Sequence, residues 1–154
     1  MKRIWSFVLI AAIAVSACKK KDDCPTVNTT APASEVANLK AYLDASNITA
    51  TADSRGFFYT IKAAGSSSKP TLCQSVNVSY VGKLTNGQTF DSNANATFGL
   101  SGLITGWQEG IPLIGSGGSI VLYLPPSLAY GSGGSGPIPG NANLIFTIDL
   151  KGFN

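Results

Sequence analysis

One absence narrows the chemistry open to this 154-residue sequence: it contains no histidine. Without imidazole there is no Ser/His/Asp or Cys/His nucleophile pair, no imidazole general base and no His-ligated metal site. The three cysteines, Cys18, Cys24 and Cys73, lack C-x-x-C spacing, so neither a metal nor another cofactor is expected. Gly131, Gly133 and Gly136 satisfy G-x-G-x-x-G, a pattern that can cradle a dinucleotide pyrophosphate at a helix N-terminus. That match is rejected. Pro137 and Pro139 bar the helix that would have to follow, and no acidic residue lies where the ribose contact needs one.

The elements around these residues divide into two regimes. All 17 glycines lie at or after Gly56, and the chain is long enough for one domain with a core. Lys2 and Arg3, an apolar run over 4–15, and the small residues Ser16 and Ala17 have the layout of a secretory signal over 1–17. The run is shorter than the ~20 apolar residues of a membrane-spanning helix. The A-V-S-A-C ending at Cys18 resembles a bacterial lipobox, although Val15 stands where leucine is usual. Lipidation at Cys18 would make the chain a lipoprotein of the bacterial cell envelope, held to a membrane by its anchor. The alternative is ordinary secretion with Cys18 a spare thiol. Loss of the leader leaves nine basic and eight acidic residues, too even a balance for nucleic-acid binding.

Residues 18–33 read as a charged, Pro/Thr-rich tether. Over 34–55 Ser34 offers an N-cap, Glu35 suits the first turn, and Val36, Leu39, Leu43 and Ile48 give an approximate helical stripe. A short helical extension bracing the next domain is expected. Cys24 and Cys73 are expected to bridge in an oxidising compartment, two free thiols being the alternative.

From 56 to 154 the period changes to two. Phe57, Tyr59 and Ile61 alternate, as do Val76, Val78 and Tyr80, then Ile120, Leu122 and Leu124, then Leu144, Phe146, Ile148 and Leu150. Such alternation means strands with one buried face, and Asn86-Gly87 marks a hairpin. Only residues 106–114 look helical. An α+β domain follows: a strongly curved antiparallel sheet wrapped around one short helix.

Four blocks then carry a resemblance. V-S-Y-V-G-K-L-T-N-G-Q-T-F-D-S, L-I-T-G-W-Q-E-G-I, L-P-P-S-L-A-Y-G and G-P-I-P-G-N-A-N-L-I-F-T-I-D-L, in this order over about 57–154, resemble the FKBP-type peptidyl-prolyl cis-trans isomerases. The resemblance implies the same wrapped sheet and a rotamase acting on X-Pro bonds. Its catalytic positions fall on Tyr80, Asp91, Ile104 (through its N–H) and Tyr130. Its substrate-binding positions fall on Phe90, Phe98, Leu103, Trp107, Ile138 and Phe146. Proline-containing polypeptides and tacrolimus-type macrolides are the implied partners, with the chain a monomer. Rotation about an X-Pro bond needs no nucleophile, metal or side-chain proton transfer, which suits a chain without histidine.

Outside that context each aromatic would be ordinary core, and Asp91 and Tyr130 ordinary turn residues. Glu109 is expected on the solvated side of its helix. Two departures from the family pattern stand out. No Lys or Arg lies between Lys83 and Lys151, so Asp91 lacks a nearby cation in sequence, and the 131–137 loop is unusually Gly-rich and expected to be mobile. A module that captures proline-containing segments without turnover is the alternative function.

Overall fold

A computed structural model describes residues 24–154. The signal segment and Cys18 lie outside the described residues. No helix among the described residues is long and apolar enough to cross a membrane.

The alternating runs build six strands: β1 (Thr51–Ala52), β2 (Phe58–Ala63), β3 (Ser75–Leu84), β4 (Thr89–Gly99), β5 (Gly118–Leu124) and β6 (Leu144–Phe153). They form one antiparallel sheet in the order β1-β2-β5-β6-β3-β4. Val76, Val78, Ile120, Leu122, Leu124, Leu144, Phe146, Ile148 and Leu150 share its inner face and are at most 3% exposed. Ile61 breaks the expected pattern at 41% exposure. It lies past the reach of β1, which pairs only with Phe58 and Tyr59, and just before a bulge at Ala63. The β3–β4 hairpin closes through Leu84 N–H to the Gln88 carbonyl and Gly87 N–H to the Leu84 carbonyl, with positive φ at Gly87 but not at Asn86.

The inner face receives one short helix, α2 (Thr105–Gly110), as the period predicts, but it is shorter than the expected 106–114. Pro112 has no N–H to give an α-helix, and the chain tightens into a 3-10 turn over Ile111–Leu113. A Cβ on Gly106 would lie 2.5 Å from Leu124, and one on Gly110 would lie 2.6 Å from Leu122. Glycine at both positions lets α2 sit directly on β5.

The outer face receives α1 (Ala33–Ala45), which buries Leu39 and Leu43 against Phe58 and Tyr123. Ser34 is not its cap: Pro32 holds that position, and no side chain caps the helix. Glu35 instead reaches across to the domain, where its Oε2 accepts the Ser127 N–H at 2.9 Å. The 34–55 extension is only partly helical, since beyond Ala45 the chain turns and adds β1 to the sheet edge. Cys24 and Cys73 are joined, with Sγ atoms 2.01 Å apart.

Candidate active site

Strand β3 brings Tyr80 to the inner face, and β4 brings Asp91 and Phe98 beside it; Tyr80 pairs with Asn93, and Gly82 with Asp91. Phe146 arrives from β6, paired with Gly82. Leu103 and Ile104 lead into α2, which carries Trp107. Tyr130 follows a 3-10 turn over Pro126–Leu128. These eight side chains line a cavity of about 190 Å³.

Trp107 is its floor and is 4% exposed. Three rings meet it edge to face: Tyr80 at 5.1 Å and 82°, Phe146 at 5.3 Å and 89°, and Phe98 at 6.2 Å and 78°. Positive ring edges against a negative ring face are the favoured aromatic arrangement, so this box is fixed by its own packing. The cavity is small, apolar-walled and open at one side, where Tyr130 stands 37% exposed.

The polar groups are few. The Tyr80 hydroxyl donates to Asp91 Oδ2 at 2.6 Å. Burial, and then the Asp91 hydrogen bond and charge, push the Tyr80 phenol up to about 12. Burial and the Asp91 charge also raise Tyr130. Both phenols therefore keep their protons at neutral pH and remain donors. Ile104 precedes α2 with extended backbone (φ −59°, ψ 148°), which leaves its N–H outside the helical ladder. Gln108 steadies this approach, its Nε2 donating to the Leu103 carbonyl at 2.6 Å.

Phe90 and Ile138 do not line the cavity. Phe90 stands behind it, edge to face with Phe146 at 5.5 Å and 86°. It rests where Gly82 has no side chain, since a Cβ there would lie 2.6 Å from the Phe90 ring. Ile138 is 6% exposed and packs into the main core. Its loop is closed on itself by reciprocal Ser135 and Ile138 N–H bonds and by Asn141 N–H to the Gly131 carbonyl. Folded in this way, the loop points Ile138 inward instead of over the cavity.

Glu109 departs furthest from expectation. It is 3% exposed, not solvated, and neither of its carboxylate oxygens has a hydrogen-bond partner. The reason is geometric: Glu109 lies on the packed side of α2 with Gly106, Trp107 and Gly110, while Thr105 and Gln108 keep partial exposure. Gly82, Gln108 and Glu109 are thus the positions whose part in the site sequence reasoning missed. Close glycine placement beside aromatic-rich strands was the available signal for the first.

Among the described residues no cluster of three or more His, Cys, Asp or Glu is placed to hold a metal. An aromatic cavity of this size, lined by Trp107 and by protonated phenols, has the dimensions and donors to take a small apolar ring with polar groups beside it. The family model for FKBP-type peptidyl-prolyl cis-trans isomerase matches residues 66–151, and the chain belongs to that family. The FKBP-type peptidyl-prolyl cis-trans isomerase FkpA of Aeromonas hydrophila is 41% identical over 99 residues, 62% of this chain and 37% of the relative. The peptidyl-prolyl cis-trans isomerase Mip of Coxiella burnetii is 42% identical over 100 residues, 62% of this chain and 44% of the relative. The chain therefore matches well under half the length of these curated relatives. Among solved structures, FkpA from Escherichia coli superposes with a TM-score of 0.72 at 34% identity, covering 79% of this chain and 60% of that one. A peptidyl-prolyl cis-trans isomerase from Pseudomonas syringae gives 0.70 at 26% identity, covering 82% and 99%.

Proposed function

We propose that this chain is a peptidyl-prolyl cis-trans isomerase acting on X-Pro bonds of exported or cell-envelope proteins, and that a lipid on Cys18 holds it to a bacterial membrane. The observation that carries the enzymatic reading is the Trp107 indole walled by the nearly perpendicular rings of Tyr80, Phe98 and Phe146. A proline ring resting there would be held by dispersion and excluded from water.

The barrier to X-Pro rotation, ~18–20 kcal/mol, comes from amide resonance, and the planar amide is more charge-separated than the twisted one. An apolar cavity offers the planar form less solvation than water does, and so favours the twisted form. The Tyr130 hydroxyl and the Ile104 N–H are the donors for carbonyls flanking the proline. Asp91 accepts the Tyr80 hydroxyl and so fixes the ring wall opposite.

Isomerisation of a short X-Pro peptide, with and without a tacrolimus-type macrolide, is the direct test. Micromolar chain should accelerate exchange and the macrolide should abolish the acceleration. Binding without acceleration would favour a proline-segment-capturing module. Tyr80→Phe removes the bond to Asp91 and should lower kcat/KM about tenfold, the kinetic equivalent of one hydrogen bond to a charged group. The anchor is tested separately in a bacterial host. Cys18→Ser should move the chain from the membrane fraction to the soluble fraction and abolish incorporation of labelled fatty acid.

A further inference from the structure

Trp107 stands on a helix that also carries a buried carboxyl group unused by the rotation itself. Glu109 lies two residues on, with both oxygens buried and without hydrogen-bond partners. The positive group facing it is Arg55, whose Nε is 3.9 Å from Glu109 Oε2. Arg55 is already held by Asp53 through Nε–Oδ1 at 2.7 Å and Nη2–Oδ2 at 2.9 Å. Its Cζ lies 5.2 Å from the centre of the Phe57 ring, and Tyr59 is the remaining titratable group beside it. The strand side chains beneath α2, Leu122 and Leu124, carry no charge. Glu109 therefore faces one guanidinium shared with another carboxylate. Burial pushes its carboxyl up to about 7, against the pull of the Arg55 charge and with the push of Asp53.

We propose that Glu109 is a positioning residue for this site: the charge on its carboxyl sets the seat of α2 and thereby the placement of Trp107. The inference rests on the isomerase reading. A neutral carboxyl is tolerated in that position, whereas an ionised one without hydrogen bonds is costly and must draw in Arg55 or water. Helix α2 has only six residues, and both of its glycines already touch β5. It cannot accommodate such a change without moving Trp107 within its ring of aromatic edges.

The consequence is a pH dependence in a reaction whose chemistry needs none. The chain has no histidine to titrate near neutrality. The folded chain holds the Glu109 proton to higher pH than the unfolded chain. This group's contribution to stability is therefore complete below about 4.5 and declines as pH rises toward about 7. The well-placed, protonated form is the low-pH form, so efficiency falls with rising pH.

The test is kcat/KM for an X-Pro peptide from about pH 5.5 to about pH 8.5. The parent chain should lose roughly three- to tenfold across a midpoint near neutrality, less than the ~100-fold that a 1 Å misplacement can cost. Glu109→Gln should give a flat profile. Arg55→Gln should move the midpoint upward, because it removes the charge that favours ionisation. Once the 1–17 leader carrying Trp5 is removed, Trp107 is the only indole, and its fluorescence should titrate with the same midpoint without substrate, unless Glu109 is also changed. A flat parent profile, or an inflection that survives Glu109→Gln, overturns the inference while turnover itself upholds the isomerase reading. No turnover at any pH overturns both.

Discussion

Trp107→Ala is expected to abolish prolyl isomerisation and to lower the stability of the fold by about 3–5 kcal/mol, the range for truncating a large buried aromatic. The activity loss follows from what the indole touches. That indole lies in the cavity, and the rings of Tyr80, Phe98 and Phe146 stand nearly perpendicular to it. Without that floor the proline ring loses its main contact and the three walls lose their common support. Water then enters a cavity whose effect depends on excluding it, so the planar amide regains its solvation. The stability loss follows separately, because Trp107 belongs to the core cluster that includes Leu124, Leu128 and Phe146. Urea unfolding and peptide isomerisation, each measured where the variant is still folded, separate the two effects. Trp107→Phe should recover most of the stability and only part of kcat/KM, since a six-membered ring fills less of the floor. Full activity in folded Trp107→Ala would remove the floor from the mechanism.

The way α2 is held explains what was legible in the sequence and what was not. The strands announced themselves because each has one inner face: alternation in β5 and β6 maps directly onto burial at Ile120, Leu122, Leu124, Leu144, Phe146, Ile148 and Leu150. The eight cavity residues were legible because the motif blocks preserve their order, although they come from β3, β4, β6, α2 and two connections. Glu109 was not, because helical periodicity assumes a solvated back. In this six-residue helix Thr105 and Gln108 hold the partly exposed positions, and Glu109 falls on the side that faces Arg55. Phe90 and Ile138 show the complementary limit. A motif places a residue in the neighbourhood of a site, but Gly82 and the closed 131–140 loop decide whether its side chain reaches the cavity.

The Cys24–Cys73 bridge should prove the main restraint on the N-terminal extension, and removing it should cost about 2–4 kcal/mol. It closes a loop with a sequence separation of 49, which contains α1, β1 and β2. In the chain-entropy account a loop of that length is worth about 4 kcal/mol, an upper figure because the account is model-dependent. Besides the bridge, the extension is held by the Glu35–Ser127 bond, by Ala31 in the main core and by the small packing face of α1. Helix α1 has 13 residues, near the length at which isolated helices are marginal, and it buries only Leu39 and Leu43. β1 adds only two residues to the sheet edge. Replacing Cys24 and Cys73 together by serine leaves no lone thiol from the broken bridge and should reproduce the effect of reductant on the parent. The urea midpoint should fall, and amide exchange should quicken first in α1 while Leu144, Phe146 and Ile148 in β6 stay protected. Identical midpoints for the double variant and the parent, with and without reductant, would assign the restraint to α1 packing instead. Because Arg55 lies within the bridged loop and faces Glu109, loosening that loop should also disturb the charge balance behind Trp107. The double variant should then shift the pH midpoint of kcat/KM upward, in the same direction as Arg55→Gln.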